Sequence, residues 1–415
     1  MDFFNFDNYI VSRMLQLPSD KVINLTEEQR EEAYQIFLEK TGQEKVASAQ
    51  TMKKWFGIGG YSKPNRENLI RLFFALKLSG DEAREWMVKG ALEPDFQVND
   101  FCELIYLYGL KKHLSYQKCQ EMIETFISHL SVDMEIHQHN NTNEIWHSYG
   151  EKNYLEPDEF LEWMYTIKEE LKGYSMTVLN YFKDLKTEIL REVQWEARKD
   201  LDLLLAETGF IRMETERKLP YINRKKAIQR YLRRCESGKG DNISQDLIKC
   251  IRELLPMAEL SLDSGTIFLS ELFSYKNGGN GRRNKNDIRI MDDKYLSEIL
   301  NISLQKEREL KMLINGADKS ALKEQKKRCR LIGRQELLPL ILCVSQKRYL
   351  REHGDIDYNY VEARQQFETF ANRILVACNM QPLQVDKLEL DTLLSRCYEE
   401  DEMVEFSEMV ARYYN

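Results

Sequence analysis

Gln50-Thr51-Met52-Lys53-Lys54-Trp55-Phe56, then Gly57-Ile58-Gly59-Gly60, then Pro64-Asn65-Arg66 and a run to Leu78 form the stretch on which the fold reading turns. Ser48 stands where a helix needs a capping hydroxyl, and Gly57 with the Gly59-Gly60 pair supplies a stop. A short basic helix is therefore predicted from Ser48 to Phe56. From Asn65, the residues Leu69, Leu72, Phe73 and Leu76 recur at helical spacing and predict an amphipathic helix to Leu78. Ser79-Gly80-Asp81-Glu82 is a capping box that opens a third helix, to about Lys89.

The same punctuation extends in both directions. Thr26-Glu27-Glu28-Gln29 is a second capping box, and its helix ends at Gly42. Helices near 99–110 and 115–130 complete a first domain over 1–130. A polar connection is expected over 131–153, and Pro157 opens a further helix. Val178, Tyr181, Phe182, Leu185, Ile189, Val193 and Leu201 share one stripe of a long helix from Tyr174 to Thr208. A long-helix and basic middle region thus spans 131–285, and the glycine-rich stretch 276–287 at its end is the best linker candidate. Helices at 292–315, 319–330, 335–353, 361–378 and 387–398 then form a C-terminal domain over 286–415 with an acidic tail. The expectation is an all-α multi-helix bundle.

Composition supports this. Prolines number 8 and glycines 19 in 415 residues, and strand-like alternation of β-branched residues is scarce. The 8 cysteines form no C-x-x-C pair, which reads as reduced thiols in a cytoplasmic protein. The longest apolar run, Leu337 to Val344, is far below the ~20 residues that span a bilayer. No secretory signal pattern opens the chain. The net charge of −8 hides an asymmetry: cations are in excess over 43–90, 211–240 and 281–334, and acids at both ends. Cationic blocks between acidic ends suit polyanion binding, and equally contacts within or between chains.

Thr51-x-x-x-Trp55, the glycine turn and Pro64-x-Arg66-x-x-Leu69-Ile70-x-Leu72-x-x-Ala75-Leu76-x-Leu78-Ser79-x-x-Glu82-Ala83 together resemble the second half of a lambda-repressor-like (XRE-type) helix-turn-helix. The stretch is also similar to uncharacterised bacterial helical proteins that carry this half-module at the N-terminus. The resemblance implies a recognition helix bearing Gln50, Thr51, Lys53 and Lys54, with Lys63 and Arg66 near phosphates of double-stranded DNA. Chemically, glutamine can pair with adenine and lysine with guanine, while cations hold the backbone. Only Gln43 to Ala47 separates Gly42 from Ser48, so the first half of the motif is truncated or supplied by residues 27–40.

Other motifs carry competing readings. Trp55 and Phe56 suit core anchors better than stacking platforms. Arg348 and His353 fit the R-x4-H pattern and resemble the signature of HEPN ribonucleases, in which arginine and histidine would act on phosphate and the 2′-hydroxyl. His129, His137, His139 and His147 lie near Asp133, Glu135 and Glu144, yet their spacing suits solvated side chains better than a metal site. No phosphate-loop, zinc-protease, hydrolase or kinase signature occurs, and no cofactor is implied. Finally, Trp86 to Pro94 with Phe96-Gln97-Val98 echoes Ile374 to Pro382 with Leu383-Gln384-Val385. Arg66-x-x-Leu69 and Arg334-x-x-Leu337 precede the two copies.

The expectation is therefore a non-enzymatic DNA-binding regulator from a mobile-element or defence setting, acting as a homodimer because one short helix reads few base pairs. A protein–protein adaptor built on the same bundle, and a helical ribonuclease, are the alternatives.

Overall fold

The computed structural model describes residues 3–17, 24–42, 46–131, 142–217, 224–262, 265–273, 291–354 and 357–414. The expected linker 276–287, together with His137 and His139, lies outside them.

Helices begin where side-chain caps stand. Thr26 closes a reciprocal capping box with Gln29 at the start of α2 (Glu27–Lys40), which follows α1 (Phe6–Leu15). Ser48 accepts the Thr51 N–H to open α3 (Ala49–Trp55), and Asn65 does the same for α4 (Arg66–Ala75). Ser79 and Glu82 box α5 (Gly80–Glu85), which runs into a π-turn over Trp86–Gly90. Each such cap satisfies an otherwise orphaned backbone donor and contributes about 1 kcal/mol.

The chain continues through α6 (Phe101–Lys111), α7 (Tyr116–Ser128), α8 (Thr142–Lys152), α9 (Pro157–Thr166) and the long α10 (Met176–Glu207). Then come α11 (Phe210–Arg217), α12 (Arg224–Glu236), α13 (Gln245–Ala258) and α14 (Thr266–Leu272). The last are α15 (Asp293–Leu300), α16 (Ile302–Ile314), α17 (Lys319–Arg328), α18 (Arg334–His353), α19 (Tyr360–Ala377), α20 (Glu389–Arg396) and α21 (Phe406–Tyr414). No strand occurs among the described residues, and the fold is all-α. None of these helices is long and apolar enough to cross a membrane.

Two expectations of the local reading are corrected. Residues 142–152, taken as part of a connection, form α8, because Ile145 and Tyr149 recur at i, i+4 and bury one face. The single helix expected over 292–315 is interrupted at Asn301 (φ −99°, ψ 20°), where the Ser297 carbonyl accepts both the backbone N–H and the side-chain amide of Asn301.

The chain divides into two compact units. One unit holds residues 1–183 and 270–415, so the two ends of the chain belong together; residues 184–269 form the other. Physical ties within the first unit explain the pairing of the ends. The Phe4 N–H donates to the Lys387 carbonyl at 2.9 Å, and Lys306 pairs with Asp100 at 3.1 Å.

Within the first unit, α1, α2 and α3 close around Trp55 and Phe56, both wholly buried, with Phe56 against Tyr34 and Phe37. The smaller unit has its own core, formed by Leu201, Leu205, Phe210, Ile228, Leu232, Ile251 and their neighbours.

Candidate nucleic-acid interface

α3 is pinned from beneath. Met52 and Trp55 are buried, and Phe56, its C-cap, fills the space between Tyr34 and Phe37 on α2. The remaining positions face away: Gln50 is exposed, and Thr51, Lys53 and Lys54 are half-buried. The Thr51 hydroxyl lies 2.7 Å from that of Ser48. The Lys53 ammonium lies 3.4 Å from a Glu31 carboxylate oxygen and 5.6 Å from the centre of the Tyr34 ring. Both partners of that ion pair are about two-fifths exposed, so it contributes on the order of 0–1 kcal/mol and can be exchanged for another anion. Lys54 makes no ion pair with any described residue.

The turn that ends α3 is fixed by Arg30. Its guanidinium donates to the Phe56 carbonyl at 2.8 Å, to Asp7 at 2.6 Å and to Asn8 at 3.0 Å. Gly57 has a φ of +77°, and a Cβ there would run into the Arg30 guanidinium and the Asp7 carboxylate. Only glycine fits both the backbone angle and the approach.

Lys63 and Arg66, expected near phosphates, point inward. Lys63 pairs with Glu93 at 2.5 Å, and its side chain is 15 % exposed. Arg66 grips both oxygens of Glu103, at 2.6 and 2.7 Å, and donates to the carbonyls of Pro94 and Asp95 at 2.8 Å each. Burial works against its charge, but Glu103, supported by Glu93 and Asp95, more than offsets this and raises its pKa. The reason both side chains turn inward is that the 90–97 loop brings carboxylates and open carbonyls to the N-terminus of α4, and a guanidinium satisfies several at once.

The same lock is built twice. Glu103 also accepts the Gln97 N–H at 2.7 Å. In the C-terminal half, Arg334 donates to the Gln381 carbonyl at 2.7 Å and to both oxygens of Asp391, at 3.1 and 2.8 Å. Asp391 in turn accepts the Gln384 N–H at 2.7 Å. Arginine at the first turn of a helix, a proline loop, a glutamine N–H and a carboxylate on the following helix recur in α4–α6 and α18–α20. The echo in the sequence is thus a repeated hydrogen-bond pattern. Nothing local in the sequence marks Glu103 and Asp391, because their separations from the arginines differ; the glutamine six or seven residues upstream of each is the available signal.

The other motifs are accounted for separately. The Arg348 guanidinium stacks on Phe370 of α19, 4.6 Å from its centre. His353 stacks on Tyr349 at 4.3 Å, with its Nδ1 3.2 Å from the Tyr349 carbonyl oxygen. His129 ends α7 against Tyr165, and His147 stands on α8 facing Glu151. Among the described residues no His, Cys, Asp and Glu side chains gather in a metal-holding group.

In the smaller unit, α12 buries Ile228, Tyr231 and Leu232 and leaves Lys225, Lys226, Arg230, Arg233 and Arg234 exposed. Arg224 is held instead by Asp202 at 2.6 Å and Glu214 at 3.0 Å.

Compared with known proteins, the chain matches no family model, no curated protein and no solved structure.

Proposed function

We propose that this protein is a non-enzymatic regulator that binds double-stranded DNA through the outward face of α3. The observation that supports the reading is the two-sidedness of that helix. Met52 and Trp55 root it in the core, which leaves Gln50, Thr51, Lys53 and Lys54 available to base edges and phosphates. Lys63 and Arg66 have no place in the contact set, since both serve internal ion pairs. The exposed cations of α12 supply a second phosphate-binding surface, independent of sequence.

Salt-dependent binding to duplex DNA tests the proposal. The double substitution Lys53→Glu with Lys54→Glu should leave the fold intact, because neither side chain is in the core. It is expected to abolish tight binding and to lower the slope of log affinity against log salt by about 2. Unchanged binding would reject α3 as the reading element.

A second reading, a protein–protein adaptor, is favoured by one feature. Glu27, Glu28 and Glu32 are exposed at the start of α2, beside Glu31, which pairs with Lys53. Carboxylates there repel phosphate and attract a basic protein surface.

A further inference from the structure

A cavity of about 190 Å³ lies in the larger unit between the ends of α6, α7 and α16, away from α3. Its floor is apolar, formed by Phe101, Ile123, Leu310 and Leu313. Its polar wall holds an unusual distribution of charge.

On one side, the single Lys306 ammonium lies 3.1 Å from Asp100 and 3.1 Å from Glu309, so two carboxylates share one cation. On the other side is Lys172, only 3 % exposed, whose ammonium makes no hydrogen bond with any described residue. Gly173 brings the two sides together. With a φ of +78°, it carries the chain so close to Lys306 that a Cβ would lie 2.9 Å from the Lys306 Cδ.

An ammonium buried without hydrogen-bond partners is expensive, which makes the arrangement informative. Burial pulls the Lys172 pKa down, and Glu170 opposes this without bonding to the ammonium. The remaining groups around the cavity do not supply the missing acceptor. Lys326, at the rim, is a cation. Burial holds the Cys102 and Cys329 thiols protonated, with Cys329 pushed up to about 12. The Tyr106 hydroxyl is engaged by Gln120.

The wall thus offers a corner where Asp100, whose other oxygen caps α6, and Glu309 share the Lys306 ammonium, a nearby ammonium short of acceptors, and apolar surface beneath both. We propose that this cavity binds a free apolar α-amino acid, its carboxylate on Lys172, its ammonium at Asp100 and Glu309, and its side chain on the apolar floor. A simple anion would satisfy Lys172 but meet the two carboxylates. A simple amine would satisfy those but leave Lys172 unpartnered. The volume, room for on the order of six water molecules and below the roughly 300–1,000 Å³ of drug-sized pockets, suits a ligand of this size. The inference does not depend on DNA binding, and its test contains no DNA.

Isothermal titration calorimetry of the 415-residue chain decides it, with L-leucine, L-methionine and L-valine as probes. Two leucine analogues complete the set: 3-methylbutylamine, which lacks the carboxylate, and 4-methylpentanoate, which lacks the ammonium. At least one amino acid is expected to bind with a Kd of roughly 1 mM or tighter, and neither analogue to bind detectably. Lys172→Met should weaken the amino acid at least about tenfold, while leaving the melting temperature of the unliganded protein unchanged or higher. The analogue comparison needs no variant, so it stands even if that protein folds poorly. No binding by any of the three amino acids would overturn the proposal. So would 4-methylpentanoate binding as tightly as leucine, or undiminished binding by the folded Lys172→Met protein.

Discussion

Arg66 and Arg334 show how one residue type sets the behaviour of a whole module. Each guanidinium holds a loop by its carbonyls and a following helix by its carboxylate, using a planar fork that lysine lacks. Removing the cation strands its partner. Asp391 is wholly buried and Glu103 is 9 % exposed, so the two sites should differ in severity. Arg334→Met is expected to cost about 3–5 kcal/mol of folding stability, and Arg66→Met somewhat less. Urea denaturation measures both, and a loss below about 1 kcal/mol at Arg334 would contradict the lock. Of these residues the two arginines and the proline loops were legible in the sequence, as a repeated pattern. The carboxylates were not, because hydrogen bonds spanning 37 and 57 residues leave no local periodicity. For the same reason the inward turn of Lys63 and Arg66 could not be read from their spacing alone.

At the scale of elements, the caps were the most readable feature. Thr26 with Gln29, and Ser79 with Glu82, form the expected boxes because a hydroxyl and a carboxyl or amide three residues apart meet within a single turn. The start of α8 and the break at Asn301 were missed. The first lies next to a polar stretch that masks its apolar face, and the second depends on a side chain choosing the backbone as its partner. The turn after α3 gives the sharpest test at this scale. Gly57 and Gly59 both have positive φ, but only Gly57 approaches the Arg30–Asp7 pair; nothing lies within 4 Å of a Cβ at Gly59. Gly59→Ala should cost about 1 kcal/mol, from backbone strain alone. Gly57→Ala should cost distinctly more and lower the melting temperature accordingly. Equal effects would mean that Arg30 does not fix the turn.

Across the whole molecule, burial of ionisable groups couples the fold to alkaline pH. Desolvation pushes the thiols of Cys119 and Cys378 and the phenols of Tyr9 and Tyr108 up to about 12 each, against ordinary values near 9 and 10. The folded state therefore keeps protons that the unfolded chain releases. The associated stability is complete below about pH 9 and is lost as pH rises through 12. The urea midpoint should stay flat from pH 7 to 9 and then fall steadily; a flat profile to pH 11 would show that these groups are not buried. The joining of residues 1–183 with 270–415 belongs to this scale too. Composition predicted helices and the chemistry of their ends, but not which distant helices associate, since that rests on contacts such as Lys306 with Asp100.

The proposed function requires α3 to meet DNA with the side opposite Met52 and Trp55. A photo-crosslinking amino acid placed at Gln50 tests it most directly, with the same probe at exposed Tyr154 as the comparison. The expected result is a crosslink to duplex DNA from position 50 that fades as salt is raised, and little or none from position 154. DNA binding without a crosslink at 50, or no binding to duplex DNA at all, would contradict it.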